Sequence, residues 1–141
     1  MPTFTPIPIN LPIRDIAGDL VDVSWQQRGF VALFSFRDKN AEPQAIRITF
    51  AGKIIIMRVI DEMTYSLEDV GKDTGIVPGR FAYEVTDSLF LRSLTEAPKI
   101  MYSNPKQYTF LGHNYGLDII ASNPPHFELI DLRPWLHSMG L

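Results

Sequence analysis

Cysteine is absent from the chain, which removes disulfides, thiolate metal ligands and cysteine nucleophiles together and argues against a small disulfide-stapled secreted scaffold. Positive charge is scarce: 13 Lys and Arg stand against 16 Asp and Glu, for a net charge of −3. No two basic residues are adjacent, so the convergent cations that release counterions from a phosphate backbone are missing, and nucleic acid is not an expected partner. No apolar run approaches the ~20 residues of a membrane span. The first twelve residues lack a basic region followed by an apolar one, so they do not read as a signal peptide. These absences point to a cytoplasmic protein with no membrane partner. Apolar residues at 45% and charged ones at 21% exclude disorder and low-complexity repeats.

The sequences that carry common catalytic chemistry are also missing. Gly71-Lys72-Asp73-Thr74-Gly75 has the composition of a phosphate loop but not its spacing, and reads as a turn. There is no Gly-x-Ser-x-Gly elbow, His-Glu-x-x-His helix or Gly-x-Gly-x-x-Gly turn. A metal would have to draw on His113 or His126 with Asp118 or Glu128, and no four-ligand set can be named. No metal and no cofactor is therefore implied. Asp61, Glu62, Glu68, Asp69 and Asp73 form an acidic cluster, read as a solvated loop.

What is present is length for one domain, residues 1–141, opened by a Pro-rich extended arm over 1–12 whose prolines 2, 6, 8 and 12 forbid helix. Val21 to Trp25 alternates apolar and polar with period two; Phe30 to Phe36 resumes after Gln26-Gln27-Arg28-Gly29 and is apolar on both faces, as a central strand should be. Ala45 to Phe50 and Lys53 to Ile60 flank Ala51-Gly52, which predicts a two-residue hairpin with Ile48 opposite Ile55. Arg80 to Thr86 is a further strand. Gln107 to Gly112 and Leu117 to Ser122 follow, joined by a four-residue loop that would set Phe110 against Ile119 and Tyr108 against Ala121. Phe127 to Ile130 would add an edge strand.

Helical signals are fewer. Ser66-Leu67-Glu68-Asp69 fits a capping box for a turn or two stopped at Gly71. The amphipathic segment is Ser88 to Ala97, capped by Thr86 or Asp87, with Phe90, Leu94 and Ala97 on one stripe and Pro98 ending it. A short helix capped by Asp131 would carry Trp135 in the tail. The sum is an α+β domain: a mainly antiparallel sheet of about six to eight strands with one main helix packed on it.

Two segments, Gly79 to Leu91 (GRFAYEVTDSLFL) and Gln107 to Ile130 (QYTFLGHNYGLDIIASNPPHFELI), together with Ile48 to Met63 upstream, resemble a set of small bacterial proteins of unknown function. In these a strand reading Phe-Ala-Tyr-x-Val leads into a short helix, and a later strand pair ends before a proline. The resemblance implies a bacterial source and carries no catalytic residues. By size and composition such domains are similar to immunity or other interaction proteins.

Two functional expectations follow. The first is a non-enzymatic protein-interaction module, an immunity or accessory factor, engaging a protein partner or a second copy as a homodimer. Its surface would be the outward face of the central hairpin, where Arg47 and Arg58 accompany Ile54 and Ile56, with the loop carrying His113 and Tyr115 as a further contact. The alternative for that face is cover by the Ser88 to Ala97 helix or by the Trp135 segment, with the arginine stems lying along the isoleucines. The second is a small-molecule-binding protein or hydrolase, with a pocket inside the curved sheet and Tyr83, Tyr108, Glu84 or Asp118 as its polar groups.

Overall fold

The computed structural model describes residues 2–11, 18–27, 29–35, 43–61, 75–77, 79–93 and 104–140. The expected capping box at Ser66, the acidic cluster beyond Asp61, and Leu94 and Ala97 of the amphipathic stripe lie outside the described residues.

Among the described residues, alternation with period two builds nine strands, and every neighbouring pair is antiparallel. They are β1 (Thr3–Pro6), β2 (Leu20–Gln26), β3 (Gly29–Ser35), β4 (Gln44–Phe50), β5 (Ile54–Asp61), β6 (Ala82–Thr86), β7 (Lys106–Leu111), β8 (Tyr115–Ala121) and β9 (Pro125–Asp131). They form not one sheet but two, a five-stranded sheet ordered β1-β6-β7-β8-β5 and a four-stranded sheet ordered β2-β3-β4-β9. Phe30, Phe34, Ile46, Ile48 and Phe50 of the smaller sheet meet Tyr108, Phe110, Leu117 and Ile119 of the larger one in a single core. Tilted ring pairs, Phe34 with Phe110 at 6.3 Å and Phe50 with Tyr108 at 5.7 Å, join the two layers.

The hairpin expected at Ala51-Gly52 does not form. β4 pairs with β3 and β9, whereas β5 pairs with β8, so the short link carries the chain from one sheet to the other. Gly52, with φ +77°, supplies the turn. A bulge between Ile54 and Ile56 then redirects the strand, the usual device where a strand changes sheets. An in-plane hairpin would leave Ile54 and Ile56 together on an outer face. The crossing buries Ile54 in the core, and the bulge sets Ile56 on the opposite face, against Ile120.

Other expectations stand with smaller changes. β2 and β3 form the expected hairpin, with Trp25 opposite Phe30, and β3 is an interior strand. β7 and β8 pair two residues away from the expected register, Phe110 opposite Leu117 and Tyr108 opposite Ile119; the turn is tighter because the Gly112 N–H bonds the Tyr115 carbonyl at 3.1 Å. An even shift keeps every side chain on its face. The proline arm contributes β1, paired with β6, and β9 is an edge strand.

Among the described residues there are two short helices, and a single main one is not seen. In α1 (Leu89–Arg92) Ser88, rather than Thr86 or Asp87, is the N-cap, its hydroxyl accepting from the Leu91 N–H. Asp87 sits at φ +58°, outside the extended conformation a cap adopts. In α2 (Arg133–Ser138) the N-cap is Leu132, while the Asp131 carboxylate still accepts from the Arg133 N–H at 2.9 Å. None of the described helices is long and apolar enough to cross a membrane.

Candidate functional site

On β6 and β7, antiparallel pairing sets Glu84 opposite Tyr108, with Thr5 of β1 opposite Glu84. All three side chains point toward the facing sheet, and Lys106, two residues before Tyr108, shares their face. The facing sheet reaches only as far as Phe50 and Pro125, which pair at its end. Phe50 covers the Tyr108 ring, and beyond it Glu84 and Lys106 stay half-buried, their carboxylate and ammonium 3.4 Å apart. The result is a cleft of about 310 Å³. It is walled by Pro6, Ile7 and Pro8 of the arm and by Pro124 and Pro125 of the β8–β9 turn, with Asn104 and Ser122 at its margin.

Two hydroxyls in this cleft lack protein partners. Tyr108 is 3% exposed, and its hydroxyl has no hydrogen bond among the described residues. The Ser122 hydroxyl oxygen is buried and lacks a partner among the described residues. Buried polar atoms are almost always satisfied in folded proteins, so that hydroxyl marks a place where something else supplies the bond. Burial first, and the Glu84 carboxylate second, push the Tyr108 phenol above its ordinary value of 10.0, keeping it protonated and able to donate.

A second cleft, of about 450 Å³, lies where β2 and β3 meet the link into β5. Phe30, Phe50 and Ile54 floor it, and Lys53 and the half-exposed Trp25 line its mouth. Among the described residues it contains no unpartnered buried polar atom. Of the groups expected to line a pocket, Glu84 and Tyr108 do meet in the first cleft. Tyr83 and Asp118 do not, because they lie on the outer face of the five-stranded sheet. The Tyr83 hydroxyl accepts from the Val77 N–H at 3.0 Å and lies 3.0 Å from the Val77 and Arg80 carbonyls. Asp118, fully buried, accepts from Thr109 at 2.6 Å, Gln107 at 3.4 Å and Arg58 at 2.8 Å. Ser88 donates to Gln107, and the Arg58 guanidinium stacks 4.1 Å from the Phe90 ring centre. This circuit fastens α1 to the sheet.

The residues expected to form one interaction face are dispersed. Arg47 lies on the outer face of the four-stranded sheet, paired with Glu128, whereas Arg58 lies on the outer face of the other sheet. Ile54 is in the core and Ile56 is half-buried near Arg58. His113 and Tyr115 are exposed at the β7–β8 turn. That turn is tied down by its backbone and by Asn114: the His113 N–H bonds the Gly18 carbonyl at 3.0 Å, and Asn114 clasps both backbone groups of Leu20. His126 and Glu128 share a face of β9 as expected, with Glu128 held by Arg47. No group of three or more His, Asp or Glu that could hold a metal occurs among the described residues.

Reading the sequence alone misses Lys106, Ser122 and Asn104. The available signal is that Lys106 shares the parity of Tyr108 and that Pro124-Pro125 stops the facing strand. Comparison of the chain with protein-family models, curated proteins and solved structures gives no match.

Proposed function

We propose that this protein is a non-enzymatic binding protein whose ligand is a small polar molecule seated in the cleft of Glu84, Lys106 and Tyr108. The observation that carries the reading is the buried Ser122 hydroxyl, unpartnered among the described residues, which with Tyr108 lines a space of about 310 Å³ beside a carboxylate and an ammonium. That volume is at the low end of the ~300–1,000 Å³ usual for small-molecule sites. Glu84 is the one carboxylate among the described residues that line it, so the two-carboxylate pair of a glycosidase is not assembled from them, and binding is favoured over hydrolysis. A fragment library screened by amide chemical shifts tests the reading. Ligands that move the β6 and β7 amides and lose their effect in Tyr108→Phe support it; a library that leaves those strands unmoved refutes it.

A second reading, a protein-interaction module or homodimer, is favoured by Trp25, which is 51% exposed on the edge strand β2. Tryptophan is over-represented among residues that anchor protein interfaces. Light scattering and co-purification with wild type and Trp25→Ser decide it, and a monomer that retains no partner dismisses it.

A further inference from the structure

Resting on the cleft reading above, we propose that the ligand is an uncharged polyol, a single-ring sugar or cyclitol with hydroxyls on adjacent carbons. The charged groups set the first constraint. Glu84 and Lys106 are the cleft's only charged residues among those described, and at 3.4 Å they neutralise one another. A ligand with net charge would be repelled by one of them as much as it is attracted by the other. Two hydroxyls on neighbouring carbons fit the pair without breaking it, one donating to the carboxylate and the other accepting from the ammonium.

The hydroxyls of Tyr108 and Ser122 set the second constraint. The Ser122 oxygen is buried without a partner among the described residues, and both hydroxyls can donate and accept at once, which suits further ligand hydroxyls. The walls set the third. Pro6, Pro8, Pro124 and Pro125 have no N–H groups to gather a phosphate or carboxylate, and they offer aliphatic surface to the C–H face of a ring. Tyr108 is covered by Phe50 and presents its hydroxyl rather than its ring face, so the stacking platform that a flat heterocycle needs is missing.

The test titrates the whole protein, by calorimetry and amide chemical shifts, with D-glucose, D-ribose and myo-inositol, and in parallel with glycine, inorganic phosphate and adenine. Wild type, Tyr108→Phe and the double variant Glu84→Gln/Lys106→Met are compared, each checked for native circular dichroism. The expected result is saturable binding of at least one polyol, weakened about five- to tenfold in Tyr108→Phe, the loss of one hydrogen bond of ~1 kcal/mol, and more strongly in the double variant. Binding of only glycine, phosphate or adenine at β6 and β7 overturns the polyol assignment and leaves the cleft as the site. Polyol binding unchanged in both variants overturns the assignment to this cleft. If no probe shifts the β6 and β7 amides, the polyol proposal is overturned; the cleft reading falls only if the fragment library also leaves them unmoved.

Discussion

The carboxylate of Asp118, with none of its surface exposed, accepts a 2.8 Å hydrogen bond from Nε of Arg58 on the adjacent strand, and that guanidinium in turn lies under Phe90 of α1. The pair therefore links the sheet to the helix above it. Removing one member of a fully buried pair costs about 3–5 kcal/mol; the Arg58 side chain is 28% exposed, so Arg58→Met is expected to cost about 2–3 kcal/mol. Arg58→Glu, which sets a second carboxylate against Asp118, is expected to unfold the domain. Urea denaturation checks both, and an unchanged midpoint for Arg58→Met would remove the pair from the account of stability.

Asn114 joins the two sheets at the β7–β8 turn. Its side-chain oxygen accepts from the N–H groups of Leu20 and Tyr115, both at 2.8 Å, and its amide donates to the Leu20 carbonyl at 3.1 Å. Net values of ~0.5–1.5 kcal/mol per bond, reduced by exposure, predict that Asn114→Ala loses about 1–3 kcal/mol. Hydrogen exchange at Leu20 should quicken in the variant; exchange at the wild-type rate would show that the clasp contributes nothing.

Stability should fall in strongly alkaline solution, above the ordinary phenol value of 10.0, through Tyr108. Burial and the neighbouring Glu84 raise its pKa above 10.0, so between the unfolded value and the folded one the unfolded chain has released a proton that the native state retains. Stability from this group is complete below the unfolded pKa and is lost as pH rises through the folded one. Glu84→Gln removes the secondary cause, and phenol absorbance should then show Tyr108 ionising at lower pH. A profile identical to wild type would place Glu84 too far away to act.

Asp131 should titrate on the acid side of 3.8, because hydrogen bonds from the Arg133 side chain and then from its backbone N–H favour the carboxylate. Its contribution is present above the unfolded pKa and is lost as pH falls through the depressed folded value. Carbon-detected NMR of the Asp131 carboxyl reads this directly. Arg133→Met should return the value toward 3.8, and no movement would sever the proposed cause.

Gly75 packs against β1 without room for a side chain. A Cβ there would fall 1.9 Å from the Phe4 carbonyl oxygen, and its φ of +93° is strained for any other residue. Gly75→Ala is expected to lose at least about 3 kcal/mol and to detach the proline arm. Limited proteolysis, monitored at residues 2–11, would show the arm released; an equally resistant variant would contradict the close contact.

The sequence by itself determined the strands, because alternation with period two is local: Ile46, Ile48 and Phe50 had to share a face whatever their neighbours were, and Glu84 and Tyr108 were legible as polar groups on strands. The hairpin of β2 and β3 was also legible, from two alternating runs on either side of a short polar corner. Only the tertiary structure decided which strands are neighbours. Gly52 serves equally as a hairpin turn or as a corner between sheets, and the corner prevails because it buries Ile54 and lets β9 and β8, more than sixty residues downstream, pair with β4 and β5. That choice sent Arg47 and Arg58 to separate outer faces, each beside its own carboxylate. The cleft depends on the same decision, since Lys106, Ser122 and the prolines are gathered by the place where one sheet stops short of the other, and no local period records where that is.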